Sequence, residues 1–177
     1  GRTMICHMPV LVGAGSIPDS QMKSFCKVLS REWGGALLQY SATESPTKIL
    51  GTLPLSTKGL IELIGDPAKT LPDGCNWLEA LGAWRLPTIL IAHSSDSGIP
   101  GSVLAYAALC KELHVPLVGI VQYGGDWEPE LRRLDGLPWC GWLPELSKQD
   151  IDSTIGNDCY ESVQVILSRV QSRLNFI

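Results

Sequence analysis

The chain has 177 residues, with 14 basic and 18 acidic side chains that give a formal net charge of −4. This length suits one α/β domain spanning residues 1–177, with about 70% of the unfolded surface buried in a single core. The acidic balance, without any cluster of lysine and arginine, argues against nucleic acid or an anionic membrane as the main partner. No apolar run reaches the roughly 20 residues of a membrane-spanning helix.

Strands and helices alternate along the first half of the chain. Residues 41–58 are rich in Ser, Thr and Pro, so we predict an irregular surface excursion there. Gly34 and Gly35 should end the first helix. From apolar runs and helical spacing, we predict strands at residues 8–12, 36–40 and 59–64, and helices at residues 20–33 and 76–84.

The second half centres on the stretch PTILIAHSSDSGIPGSVLAYAALCKELHVPLVGIVQYGG. Its two strands are unbroken aliphatic runs, as strands covered by helices on both faces require, so the sheet should be mainly parallel. We therefore predict a doubly wound, three-layer α/β/α sandwich. Ligands of such sheets bind beyond the carboxyl ends of the strands, which directs attention to the loop at residues 93–101. The predicted elements are strands at 88–92, 117–121 and 139–143, and helices at 102–114, 128–134 and 157–174.

Six cysteines are scattered singly and lie mostly inside apolar segments. Zinc sites favour closely spaced pairs of ligands, which neither the cysteines nor the three histidines supply. We interpret the cysteines as reduced thiols that pack as small apolar side chains, which is typical of a cytoplasmic protein. The first residues, GRTMICHMPVLVG, lack the cleavage pattern of a signal peptide.

The loop after the first strand, residues 13–20, has the position of a phosphate-binding loop. The motif G-x-x-x-x-G-K-[ST] requires a second glycine, a lysine for the phosphates and a hydroxyl for magnesium. Counting from Gly13, this chain has Pro18 at the sixth place and Asp19 and Ser20 at the next two. Proline removes a backbone donor, and aspartate brings negative charge where a polyphosphate would lie. The two interpretations are an ordinary capped turn and weak anion binding by Gly13, Gly15 and Ser16.

Other polar and aromatic residues are candidates at the strand ends. Glu62 or Asp66, near the end of the third strand, could bind magnesium, or could serve in a cap, a turn or a sheet edge. His93 and the serines after it lie too close together in sequence for a hydrolase triad. An aromatic cluster around the last strand could be core filler or the wall of an apolar pocket, and it comprises Trp139, Trp142, Pro144 and Glu145.

From residue 59 to 146, about half of the chain, the sequence resembles dethiobiotin synthetases and the related cobyrinic acid a,c-diamide synthase-like P-loop proteins. The segments that carry the resemblance are GLIELIGDP, NWLEALGAWRLP, PTILIAH, SGIPGSVLAYAAL, VPLVGIVQ and LPWCGWLPEL. The resemblance implies a P-loop NTPase-like fold and a homodimer formed near the loop at residues 93–101, which we call the central loop. It also implies that Glu62 matches a magnesium-binding glutamate, that Gln122 matches an adenine-contacting asparagine, and that Pro144 and Glu145 lie on the adenine-side loop.

The chain departs from that family where the phosphates should be held. Neither Asp19 nor Ser20 supplies the Walker lysine, and YSATESP lacks the family's Lys-Pro. Our leading hypothesis is a degenerate member that acts as a non-catalytic binding, regulatory or assembly module, with no cofactor assigned. The alternative is an ATP- and Mg-dependent dethiobiotin synthetase-type ligase or ATPase. A third hypothesis is a sensor that binds a nucleobase or a carboxylic acid at the strand ends.

Overall fold

The computed structural model describes residues 8–53, 58–95 and 98–176. Its six strands form one sheet in the order β2-β3-β1-β4-β5-β6, and every neighbouring pair is parallel. The strands are β1 (Val10–Gly13), β2 (Ala36–Ser41), β3 (Gly59–Ile64), β4 (Thr88–His93), β5 (Leu117–Tyr123) and β6 (Trp139–Leu143). The helices are α1 (Asp19–Trp33), α2 (Pro46–Leu50), α3 (Trp77–Ala83), α4 (Ser102–Glu112), α5 (Pro129–Leu134), α6 (Lys148–Asp152) and α7 (Asn157–Leu174).

Helices cover both faces of the sheet, and this confirms the three-layer α/β/α sandwich. On one face, α1 and α7 bury apolar stripes that include Phe25, Leu29 and Val163 against the strands. On the other face, α2, α3 and α4 bury a separate set that includes Trp77 and Val103. The central strands are buried along their length, which explains why they are aliphatic without alternation.

The predicted irregular excursion is wrong for residues 46–50, which form the helix α2 with one side buried. Pro46 opens the helix at a position where its missing N–H is tolerated, and Ile49 and Leu50 pack into the core. A second unpredicted helix, α6, begins at Ser147, which forms a capping box with Asp150. Both helices are only five residues long, too short for an apolar period to reveal them.

The last helix, α7, is fastened to the open edge of the sheet by two arginines. The Arg173 guanidinium donates to the backbone oxygens of Val118 at 3.0 Å, Pro138 at 2.8 Å and Trp139 at 3.1 Å. Arg169 donates to the Cys140 oxygen at 3.1 Å. These bonds hold the carboxyl-terminal helix across β5 and β6.

The order of the strands creates a crevice beside β1. The chain leaves β1 into α1 on one face of the sheet, whereas it leaves the neighbouring strand β4 into α4 on the opposite face. The two connections therefore diverge at the carboxyl edge. In parallel sheets such a point is where ligands commonly bind, so the loops after β1 and β4 are the first to consider.

Candidate functional site

The loop after β1 is tied to both neighbouring elements. The Ala14 N–H donates to the Ile91 carbonyl of β4 at 2.9 Å, and the Ser102 hydroxyl of α4 donates to the Ala14 carbonyl at 3.0 Å. Gly15 has a φ of +106°, a conformation that side-chain-bearing residues rarely adopt. The three predicted anion-binding residues therefore lie together at the carboxyl edge of the sheet. They are Gly13, Gly15 and Ser16.

The side chain of Ile17 folds back over the start of this loop. Ile17 is 7% exposed, and a Cβ built on Gly13 would lie 2.9 Å from its Cδ1 atom. Pro18 then precedes α1 without a side-chain cap, and Asp19 is the first helical residue. The space beside Gly13 is thus apolar and filled, and the nearest ionisable group at the helix start is an acid. Neither feature favours a polyphosphate.

Glu62 lies inside the sheet, two residues before β3 ends, and its side chain faces α1. It is 0% exposed, and its Oε1 accepts a hydrogen bond of 3.1 Å from Nε2 of Gln39. Its Oε2 has no hydrogen-bond partner within the described residues. Burial raises the pKa of Glu62, although the hydrogen bond from Gln39, the nearby Cys26 thiol and the charge of Lys23 oppose that shift.

A metal role for Glu62 stays a prediction. Within residues 8–53, 58–95 and 98–176, no three His, Cys, Asp or Glu side chains group in a way that could hold a metal ion. The other predicted carboxylate, Asp66, is used within the protein. Its Oδ1 accepts from the Tyr106 hydroxyl at 2.5 Å and from the Ala68 N–H at 3.0 Å, which joins α4 to the loop after β3.

A cavity of about 310 Å³ lies at the carboxyl ends of β4 and β5, and we call it the strand-end cavity. Its volume is at the lower end of the roughly 300–1,000 Å³ that is usual for small-molecule pockets. It is mostly polar, and of the predicted site residues it includes Gln122. The lining residues are Ser94, Ser95, Gly98, Ile99, Gln122, Gly125, Asp126, Glu128 and Arg132.

Gln122 shapes the loop that follows β5. It is 1% exposed, and its Nε2 donates to the carbonyls of Gly124 and Asp126, both at 2.9 Å. Both amide protons are thereby used within the protein, which leaves only the Oε1 atom for a ligand. Replacing Gln122 should therefore destabilise the fold as well as change the cavity, so the residue is a poor probe of binding by itself.

Arg132 is the basic residue among the lining residues of the strand-end cavity. Its guanidinium lies over the Trp139 ring, 5.1 Å from the centroid, and is 3.8 Å from the Asp135 carboxylate. Its Nε atom is buried and has no hydrogen-bond partner within the described residues. Arg132 is not among the predicted site residues, because no local motif marks it and its position depends on the pairing of β5 with β6.

Pro144 and Glu145 follow β6 at the same edge but do not line the strand-end cavity. They precede Leu146, whose N–H lies 3.4 Å from the hydroxyl of Tyr123. Tyr123 in turn stacks on His93 with ring centroids 5.6 Å apart. Pro144, Glu145 and the loop after β1 thus lie at the same carboxyl edge as Gln122 without lining this cavity.

Comparison with known proteins gives no family assignment, since no protein-family model and no curated protein matches the chain significantly. Among the described helices, none combines the length and apolar character that crossing a membrane requires.

Proposed function

We propose that this chain is a degenerate relative of the dethiobiotin synthetases that binds a ligand or partner without transferring a phosphoryl group. The observation that carries the proposal is the loop after β1. Ile17 packs beside Gly13, and Asp19 begins the helix where the family would place a phosphate-binding lysine. The first loop thus has the position of a phosphate site and the wrong residues for one.

The size of the lost interaction supports a non-catalytic role. Phosphoryl transfer depends almost wholly on positioning and on neutralising charge on the phosphates. One well-placed donor contributes about 3 kcal/mol to transition-state stabilisation, and the missing lysine is such a donor. Asp19 would add repulsion to that loss.

The strand-end cavity is the best candidate for ligand binding in this proposal. It lies where parallel sheets bind ligands, and Arg132 offers a partly desolvated guanidinium beside the polar groups of Ser94 and Gln122. Guanidinium groups bind carboxylates well, and a planar base could stack or hydrogen-bond there. Because Asp126 and Glu128 also line the cavity and would repel a second negative charge, we propose a nucleobase or a small acid with one carboxylate as the ligand class, bound without chemical change.

The alternative function is an ATP- and Mg-dependent ligase or ATPase. It is favoured by the position of the first loop, which lies in the crevice between β1 and β4 and leads directly into α1, a helix of 15 residues. A basic group from elsewhere would then have to neutralise the phosphates.

Isothermal titration calorimetry with MgATP and MgADP, followed by an assay of ATP-dependent ring closure of diaminopelargonic acid, separates these functions. We expect no binding in the micromolar range and no turnover. Micromolar binding with turnover would establish the alternative.

The ligand site is tested by a matched pair of variants in α5. Adenine and small mono- and dicarboxylates are titrated into the native protein, Arg132→Met and Arg133→Met. The Arg133 side chain is 71% exposed and pairs with Glu130, so its loss should leave binding unchanged. Arg132→Met should weaken binding of a carboxylate at least ten-fold, and equal weakening by both variants would contradict the assignment of the cavity.

A homodimer and a cytoplasmic location are also part of this proposal. The outer face of α4, next to the central loop, includes Leu104 at 57% exposure, together with Ala105 and Ala108. A second copy of the chain would bury that face. Sedimentation equilibrium of the native protein and of Leu104→Glu measures the oligomeric state. A dimer formed through this face should dissociate in the variant. A monomeric native protein would contradict the expectation.

A further inference from the structure

A second cavity, of about 490 Å³, lies at the open edge of the sheet between α7 and β6. We call it the edge groove. None of its lining residues lines the strand-end cavity. These residues are Trp127, Gly141, Trp142, Asp158, Glu161, Ser162, Val165 and Arg169.

Two indoles of the edge groove are held in place. The Trp142 Nε1 donates to the Gly125 carbonyl at 3.1 Å, and Trp127 packs edge-on against Trp139 with ring centroids 6.0 Å apart. Gly141 adds no side chain between the strand and α7, where a Cβ would lie 3.0 Å from Ile166. The aromatic part of the groove is thus formed in advance and remains open.

Two carboxylates of α7 border the aromatic part. Asp158 and Glu161 are exposed, and neither forms an ion pair or a side-chain hydrogen bond within the described residues. Asp158 lies in the first turn of α7, where the helix dipole offsets part of its charge. Glu161 lies beyond that turn and retains its attraction for a cation. The basic group Arg169 lies about two turns further along and donates to the Cys140 carbonyl.

These charges argue against a purely apolar occupant. An apolar side chain pressed into the edge groove would desolvate Glu161 and Asp158 without giving them a partner, which is unfavourable. A cation satisfies the carboxylates and is attracted to indole rings. Val165, which is 46% exposed, can contact the aliphatic stem of a long basic side chain.

We propose that the edge groove binds an arginine or lysine side chain of a partner protein. The groove lies open along α7 and the last strand, so a polypeptide can reach it, and the net charge of −4 favours a basic partner. The cationic head lies by Trp142 and pairs with Glu161, while the stem lies along Val165. This inference does not depend on the ligand of the strand-end cavity.

The probes are capped pentapeptides, Ala-Ala-X-Ala-Ala, in which X is arginine, lysine, citrulline or leucine. Binding is followed by the indole N–H resonances of Trp127 and Trp142 in heteronuclear NMR. We expect the arginine and lysine peptides to shift both resonances. The neutral citrulline and leucine peptides should bind about two- to five-fold more weakly. Equal binding of arginine and citrulline peptides would overturn the proposal.

Variants locate the binding. Glu161→Gln should weaken binding of the arginine peptide by about two- to five-fold, the range of an exposed ion pair, whereas Glu112→Gln, at the exposed end of α4, should leave the affinity unchanged. Trp142→Leu should weaken it further, with the exposed Trp84→Leu as control and thermal melting as the check on folding. An unchanged affinity in Glu161→Gln would contradict the proposal. So would free putrescine binding as tightly as the arginine peptide, since the site would then be one for small amines.

Discussion

The side chain of Ile17 occupies the space that a methyl group on Gly13 would need, at 2.9 Å from Cδ1 and 3.1 Å from Cγ1. Gly13→Ala should therefore lower the free energy of unfolding by about 1–3 kcal/mol through overpacking. Ile17→Ala, at a side chain 7% exposed, should lower it by about 2–4 kcal/mol. In the double variant, the alanine at position 13 should cost much less, because both close carbon atoms are gone. Urea unfolding of the four proteins measures this coupling, and additive losses would contradict the packing.

Because Glu62 is buried, we expect the free energy of unfolding to depend on pH. Burial raises its pKa from 4.5, so the folded state favours the protonated carboxyl. The stability that Glu62 contributes is complete below its unfolded pKa and is lost as the pH rises through the raised value. The advantage of Glu62→Gln over the native protein should grow with pH, by about 1.4 kcal/mol for each unit of the shift.

Denaturant unfolding between pH 4 and pH 9 tests this dependence. Glu112→Gln is the control, because it removes one negative charge at an exposed position and so shows the effect of the charge change without burial. A constant difference between Glu62→Gln and the native protein across that range would show that the Glu62 pKa is not raised.

Tyr106 and Asp66 join α4 to the loop after β3 through a hydrogen bond of 2.5 Å. Tyr106→Phe removes it, and we expect a loss of about 1–2 kcal/mol because the acceptor is a carboxylate. Tyr160→Phe, at an exposed position, should change the free energy of unfolding by less than 0.5 kcal/mol, roughly the usual limit for surface changes. Burial and Asp66 also raise the Tyr106 pKa, and burial raises the pKa of Tyr123, so an absorbance titration should show two late-titrating tyrosines, one of which Tyr106→Phe removes.

The cysteines should differ sharply in reactivity. Cys75 is exposed, whereas Cys26, Cys110, Cys140 and Cys159 are buried, and burial raises the pKa of Cys110 to about 11. The thiolate is the reactive form, so only Cys75 among these five should react quickly with a disulfide reagent in the folded protein. In a Cys6→Ser background, Cys75→Ser should abolish the rapid phase. A rapid phase that persists would show that a buried thiol is accessible.

The sequence predicted the architecture well because the central strands are long aliphatic runs whose environment is nearly uniform. Strands β3 and β6 and helix α7 have the predicted bounds. The strand β5 extends to Tyr123, two residues beyond the prediction, because Gln122 and Tyr123 continue to pair with β4 and β6. Pattern alone does not show that a polar residue such as Gln122 finds its partners in its own loop.

The candidate site was less predictable because it depends on tertiary contacts. The position of Gly13 and Gln122 at the carboxyl edge follows from the order of strands and helices. Three other features depend on side-chain packing. They are the contact of Ile17 with Gly13, the face of the sheet on which Glu62 lies, and the position of Arg132 in the strand-end cavity. None of these is encoded in a local spacing.

The two arginines of α7 also affect how molecules of this protein meet one another. An outermost strand normally offers free peptide groups that can recruit a strand from a neighbouring molecule. Here the guanidinium groups of Arg169 and Arg173 already donate hydrogen bonds to the oxygens of Cys140 and Trp139, respectively. A strand from a neighbouring molecule would find these two acceptors already bonded, so the final helix hinders strand addition at the β6 edge of the sheet.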